Sequence, residues 1–383
     1  MAVRKRGGRW VVRWREGGRG SPAHQKTFTR ERDARRFETA VRRAKDLGQL
    51  SSEVVGSEQT VAAFLEEWWE KYARALLKPS TLASYAYVLD RWIVPYLGRL
   101  RLRDVSRETV DQYRAQLRAA GAGTPTVNRA FAILQGVLQR AVEWRRLPSN
   151  PVAGTVRLAH VRAGTIDARE PERVEAIRAA ILDSTLLPTG VRFRRSDATL
   201  VSVLAYEGLR PGEAFALQWS DVLERGLPRG RLRIARALSE RNVTSPKSAR
   251  AREPELFGPV AAELAELYLA LGRPDPRTLI FADTKGGHLR RQNWRQRVWI
   301  PALERAGEEY FRPYDLRHTC ATLLIYEGRP ITEVAAHMGH ADPGFTARVY
   351  GHVFRDAAKH RRVPIEEAIA LARQHLAHAS GEG

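Results

Sequence analysis

Cysteine is almost absent from this 383-residue chain: Cys320 stands alone, so no internal disulfide can form and no Cys-based zinc cluster can be assembled. A reducing, cytoplasmic setting is the expectation. Long apolar runs are missing too. Stretches such as Leu200 to Tyr206 fall far short of the roughly 20 residues that a membrane-spanning helix needs. The basic start Arg4-Lys5-Arg6 leads into Gly7, Gly8, Arg9 and Trp10 instead of an apolar stretch, which argues against a secretory signal. Acid is in short supply: 43 Asp and Glu against 64 Lys and Arg leave a net charge of +21. A field of that size makes polyanions the natural partners. With 43% hydrophobic residues the chain can still build a core, and its length suggests two or three domains.

The charge is uneven. Residues 1–50 hold 15 Lys or Arg against five Asp or Glu, a net of +10. There, Trp10 to Trp14 and Gln25 to Phe28 read as strands, divided by Gly17, Gly18, Gly20 and Pro22. A helix follows, with Ala34, Phe37, Val41 and Ala44 at spacings of three and four. Sheet plus helix is the expectation, with Arg9, Arg13 and Arg15 as DNA contacts.

Residues 58–150 read as a helical bundle of four segments. Stripes run through Val61, Phe64, Leu65, Trp68, Trp69 and Tyr72, then through Leu82, Tyr85, Leu89, Trp92 and Ile93, with Pro95 and Gly98 expected to close the second. Ser106 caps a third helix, and Thr124-Pro125 opens a long fourth. Arg129 and Arg140, with Arg145 and Arg146, are expected to project from that last helix toward DNA. Asn150-Pro151 and the weakly periodic Gly154 to Ala168 mark a linker into a third region, residues 165–383. The fold class expected is multidomain and mainly α, with small β-sheets and an α+β region last.

Three elements of the third region carry chemistry. In Tyr206-Glu207-Gly208-Leu209-Arg210-Pro211-Gly212-Glu213 an arginine follows a glycine turn and precedes a helix. Guanidinium stays charged and its forked donors match phosphate oxygens; a structural salt bridge to Glu213 is the plainer alternative. In Arg312-Pro313-Tyr314-Asp315-Leu316-Arg317-His318-Thr319, Asp315 is placed to cap a helix with apolar face Leu316, Cys320, Leu323 and Leu324, leaving Arg317 and His318 off that face. In Val334-Ala335-Ala336-His337-Met338-Gly339-His340 a glycine ends a short helix, and Tyr350 follows ten residues after His340.

In this order the three elements resemble the catalytic domain of tyrosine recombinases, the phage-type integrases. The resemblance implies Arg210 and Arg317 as the arginine pair, Glu213 as a supporting acid, His340 as the Gly-His histidine and Tyr350 as nucleophile. The hairpin lysine of the family is matched by Lys247 in Ser245-Pro246-Lys247-Ser248. One position departs: Tyr314 stands where the His-x-x-Arg box begins. A phenol accepts protons poorly, so Tyr314 is expected to bond the phosphate or its supporting network, with His340 or solvent handling the proton.

The resemblance extends loosely over the rest of the chain, with 1–50 as an arm-type DNA-binding domain, 58–150 as the core-binding domain and 165–383 as the catalytic domain with a helical tail. It implies attack by Tyr350 on a DNA phosphate, a 3′-phosphotyrosine intermediate, and strand exchange between attachment sites without ATP, cofactor or divalent metal. Lys247 would protonate the leaving oxygen, and the arginine field would favour tyrosinate. It also implies a tetramer on double-stranded DNA, a DNA-bending accessory protein and a directionality factor. Ile365, Ile369, Leu371, Ala372 and Leu376 make a C-terminal amphipathic helix suited to packing on a neighbour or on its own chain. A non-catalytic, recombinase-like DNA-binding regulator is the competing reading, favoured only by Tyr314; type IB topoisomerases use a related constellation but relax DNA, and the two N-terminal DNA-binding regions favour site-specific recombination. A metal site from His337, His340 and His352 is disfavoured because Gly339 breaks the helix between the first two. Lys285-Gly286-Gly287-His288 reads as a polar turn, not a nucleotide loop.

Overall fold

The computed structural model describes residues 2–15, 23–46, 58–159, 168–183, 191–224, 230–239, 242–245, 251–357 and 362–381. The chain divides into two compact units, Met1–Arg162 and Ala163–Gly383.

The first unit begins with an antiparallel sheet of β1 (Ala2–Arg6), β2 (Arg9–Arg15) and β3 (Ala23–Phe28), followed by helix α1 (Glu31–Asp46). Alternation decides what each side chain does. Val12 and Trp14 are buried against Ala34 and Val41 of α1, with Phe37 edge-on to Trp14 at 5.2 Å. Arg9, Arg13 and Arg15 fall on the opposite, exposed face. Pairing of Arg4 with Val11 and of Arg6 with Arg9 adds two more arginines there. Strand β1 is not expected from the sequence: Val3 is its one large apolar residue, and an edge strand ending in the three cations Arg4, Lys5 and Arg6 carries almost no hydrophobic signal.

The bundle comprises α2 (Val61–Trp68) and α3 (Arg74–Leu76) joined by a π-helical turn, then α4 (Pro79–Val88), α5 (Val94–Leu97), α6 (Arg107–Ala119) and α7 (Thr124–Glu143). Ser106 and Thr109 form a reciprocal capping box at the start of α6. Phe64, Ile93, Val110, Tyr113, Leu117, Leu134 and Leu138 are fully buried in one core.

Of the two residues expected to close the second stripe, Gly98 does so as the cap after Leu97, but Pro95 does not. A π-helical turn, Leu89–Ile93, precedes it, and the chain stays helical to Leu97. The wide turn, in which the Val94 N–H reaches back to the Leu89 carbonyl, gives room for the ring that an α-turn would push into a carbonyl. The same arrangement recurs at Pro301. Arg140 does not project freely: its guanidinium lies 3.9 Å over the Tyr72 ring and pairs with Glu143. Arg129 is exposed, bonded to Ser84.

The second unit opens with α8 (Pro171–Leu182), α9 (Val191–Ala205) and the single turn α10 (Pro211–Ala214). Strands β4 (Val222–Leu223), β5 (Gly230–Leu232), β6 (Ala237–Ser239), β7 (Asn242–Thr244) and β8 (Glu255–Leu256) make a three-stranded β4-β5-β8 sheet and a separate β6-β7 hairpin. Helices α11 (Gly258–Ala270), α12 (Arg291–Trp294), α13 (Ile300–Arg305), α14 (Leu316–Tyr326), α15 (Ile331–Met338), α16 (Pro343–Ala357) and α17 (Ile365–Gly381) follow. The π-turn before Pro301 is Arg295–Trp299.

Helix α17 packs on α8 and α11 of its own chain, burying Ile365, Ile369 and Ala372. Arg373 fixes it to Glu175 and Glu263, which also hold Arg178. Leu371 is exposed, off the apolar face expected to include it. At 283–288 the Asp283 carboxylate accepts the Lys285 and Gly287 N–H groups, a closed polar turn. Among the described residues, no helix is long and apolar enough to cross a membrane.

Candidate active site

Two glycine turns build the site. Gly208 and Gly339 both adopt left-handed backbone, at φ +63° and +64°. At Gly208 a Cβ would sit 2.9 Å from the sulfurs of Cys320 and Met338, so only glycine fits. The carbonyls these turns expose become anchors. Arg317 is 2% exposed and donates to the carbonyls of Gly208 and Met338. Arg210, at the N-cap of α10, donates to the Gly339 carbonyl at 3.3 Å and to Glu213 Oε1 at 2.8 Å. Both guanidiniums are thus fixed by backbone and retain further N–H donors for an anion between them.

Glu213, 1% exposed, is the keystone. Its carboxylate also accepts the Arg210 backbone N–H and both terminal nitrogens of Arg252, at 3.1 and 2.7 Å. Burial alone would raise its pKa, but hydrogen bonding to Arg252 and the charges of Arg252, Arg210 and Arg317 hold it at about 2. Arg252 further donates to the His337 carbonyl at 3.1 Å. Sequence reading did not single it out, because an arginine beside a strand has no distinguishing pattern until the fold brings Glu213 to it.

Gly212 makes a second close approach. Its Cβ would meet the Leu238 carbonyl oxygen at 2.6 Å, so the β6-β7 hairpin rests directly on the Arg210 turn. Lys247 itself lies outside the described residues.

His340 follows the Gly339 turn, with Nδ1 2.7 Å from Thr346 Oγ1. Burial and the charges of Arg317, Arg210 and Arg252 lower its pKa to about 3, so it is neutral. His337 is likewise held at about 3 by burial first and by Arg329 and Arg252 next. Among the described residues no group of three or more His, Cys, Asp or Glu could hold a metal ion.

Two expectations for the His-x-x-Arg segment are corrected. Asp315 makes no cap bond to α14; it closes the turn before it, accepting the Arg312 N–H at 3.0 Å and the Arg312 side chain at 2.7 Å. Arg317 is not set apart from the buried face of α14 but lies deep within the core, where the two backbone carbonyls replace its water. Tyr314, by contrast, is 41% exposed.

Tyr350 on α16 is 2% exposed, and its hydroxyl is 2.7 Å from His318 Nδ1. The arginine field does not win here: burial raises the pKa of the phenol, with Arg317 only a partial counterweight. At neutral pH Tyr350 is therefore a neutral phenol. The sequence places His318 off the apolar face but gives it no role, because it is not the position at which the His-x-x-Arg box begins.

Comparison with known proteins agrees with this geometry. The family model described as "Phage integrase family" matches residues 179–356, and that described as "Phage integrase, N-terminal SAM-like domain" matches residues 60–118. Tyrosine recombinase XerD of Halalkalibacterium halodurans is 27% identical over 289 residues, covering 72% of this chain and 88% of that protein. The Tn1549 transposon integrase, solved in complex with transposon right end DNA, superposes at TM-score 0.65 with 17% identity, covering 79% of this chain and 98% of that one. Lambda integrase, solved as a tetramer bound to a Holliday junction, gives TM-score 0.58 with 16% identity, covering 91% and 94%. At such identities the structural likeness is one of fold, and with the two matched segments and the motif order it follows that the chain belongs to the phage integrase family of tyrosine recombinases, site-specific enzymes that break and rejoin DNA.

Proposed function

We propose that this recombinase integrates or excises a mobile element, in the cytoplasm, by exchanging strands between two double-stranded attachment sites. The observation that carries the reading is the convergence of Arg210 and Arg317 on two glycine turns, both acting on His340, with Arg317 also acting on Tyr350. In this scheme Tyr350 attacks a DNA phosphate, forms a 3′-phosphotyrosine and releases a 5′-hydroxyl. The two guanidiniums and His340 bind the non-bridging oxygens and offset the charge that develops there. Fixed donors need no reorganisation during the reaction. Lys247 is assigned as the general acid that protonates the leaving oxygen, on its match to the family's hairpin lysine.

Because the phosphodiester energy is kept in the tyrosyl ester, rejoining to another strand needs no ATP, cofactor or divalent metal. Residues 1–50, 58–150 and 165–383 are assigned to arm binding, core binding and catalysis. The arginine face of the small sheet, with Arg9, Arg13 and Arg15, suits phosphate contact, and Arg129 on α7 suits the core site. Arg140, already held by Tyr72 and Glu143, is the weaker core-site candidate. A tetramer on two sites, aided by a DNA-bending protein and a directionality factor, completes the assignment.

The test mixes the protein and its Tyr350→Phe variant with duplexes taken from either side of its gene, in EDTA, and quenches with detergent. Protein-linked DNA from the unaltered protein alone is the expected result. Binding without any adduct in either protein would return the reading to a DNA-binding regulator.

A further inference from the structure

We propose that His318, rather than Tyr314, His340 or solvent, takes the proton of the Tyr350 nucleophile and returns it on rejoining. The inference rests on the recombinase reading above and assigns a further catalytic residue to it.

Geometry comes first. His318 Nδ1 and the Tyr350 hydroxyl are 2.7 Å apart, inside the reach of direct proton transfer. Their carriers, α14 and α16, pack against each other, which fixes the pair. His340 has its own Nδ1 committed to Thr346 at 2.7 Å. At 2% exposure Tyr350 has little contact with bulk water, and His318 is the side chain that its hydroxyl meets. Tyr314 sets its ring edge against His318, with centroids 6.3 Å apart, and so buttresses the imidazole from the position where the family's histidine would stand.

Electrostatics agree. Burial, Arg317 and Arg312 lower the pKa of His318 against the opposing pull of Asp315, which keeps the ring neutral at neutral pH. Tyr314, Tyr350 and His340 are its other titratable neighbours. The required tautomer carries its proton on Nε2 and leaves the Nδ1 lone pair facing the phenol. In the forward step the Tyr350 O–H bond breaks and the proton moves to Nδ1, while Oη bonds to phosphorus. The bond from phosphorus to the 5′-oxygen breaks, and that oxygen takes a proton from the general acid, assigned to Lys247. On rejoining, the imidazolium hands its proton back to the departing phenolate. Charge and protons balance without a co-reactant.

The experiment measures single-turnover adduct formation on nicked duplexes tiled across the DNA flanking the gene, with gel-shift binding as the control for folding. His318→Asn keeps a polar atom at the Nδ1 position yet cannot take the proton. It should lose about 10²–10⁴-fold in adduct rate with DNA binding retained. The unaltered protein should slow below about pH 6.5 as the imidazole protonates, and the variant should lack that limb. A duplex whose leaving 5′-oxygen is replaced by sulfur needs no general acid, so it should restore Lys247→Ala but not His318→Asn.

His318→Asn within a few-fold of the unaltered protein, or restoration of its rate by the sulfur substrate, would overturn the assignment. Absence of an adduct from the unaltered protein on every duplex would instead overturn the recombinase reading on which it stands.

Discussion

Arginine serves two opposite purposes in this chain. On the N-terminal sheet, Arg4, Arg6, Arg9, Arg13 and Arg15 lie on the exposed face because strand alternation puts Val12 and Trp14 on the other. In the catalytic unit, Arg317 is buried and Arg252 half-buried, and with Arg210 they are held by backbone carbonyls or by Glu213. The first arrangement makes a diffuse positive field that favours polyanions at any register. The second costs desolvation, which carbonyls and a carboxylate must offset, and yields donors fixed in place. Affinity should therefore be adjustable on the sheet and almost unadjustable in the site.

The sharpest break of that contrast is Arg317→Lys. Charge is kept, but an ammonium cannot span the Gly208 and Met338 carbonyls as the fork does. Adduct formation should fall by at least about 10³-fold, consistent with the losses that follow removal of fixed transition-state donors, while DNA binding in a gel shift changes little. Retention of near-normal cleavage would mean that charge alone suffices. On the sheet, replacing Arg9, Arg13 and Arg15 together by Gln should lower arm-DNA affinity. The slope of log affinity against log salt should fall by about 0.9 for each phosphate that is no longer neutralised. Cleavage of a short core duplex should be unaffected, and an unchanged slope would remove the sheet from the interface.

Glu213→Gln tests the support between those extremes. The carboxylate has its folded pKa lowered from 4.5 to about 2, so its contribution is present above pH 4.5 and is lost as pH falls toward 2. That contribution is on the order of 3 kcal/mol. Urea unfolding should show the variant less stable at pH 7 and nearly equal to the unaltered protein near pH 2. Parallel curves across that range would place the stabilising charge elsewhere.

Much of this was readable beforehand where a periodicity or a tight local motif carried it. The stripe from Val61 to Tyr72, the Ser106 cap and the glycine that ends α15 all depend on residues within a few positions of each other. What escaped depends on contacts distant in sequence. Arg252 gains its meaning from Glu213, 39 residues away, and His318 from Tyr350, 32 residues away. The continuation of the helix past Pro95 escaped because a π-turn leaves no signature in the order of apolar residues. The burial of Arg317 escaped because an arginine beside an apolar stripe reads as solvent-facing unless carbonyls from other segments are known to wait for it.

Tyr314 is where the two uses of a polar group meet, and it should give the smallest effect. It heads the motif that delivers Arg317, yet at 41% exposure it is the open member of a set otherwise buried or half-buried. With its hydroxyl bonding the DNA phosphate or its supporting network, Tyr314→Phe removes one neutral hydrogen bond and leaves the ring against His318. The expected loss in adduct rate is about 3–10-fold, the usual worth of such a bond. The pH profile should stay in place, because the ring that supports the imidazole remains. Unaltered cleavage would show that the hydroxyl has no part, and would leave the aromatic ring as the reason a tyrosine is sufficient there. A loss as large as that of His318→Asn would move the proton acceptor back to position 314 and make the exposed and buried halves of the site a single unit.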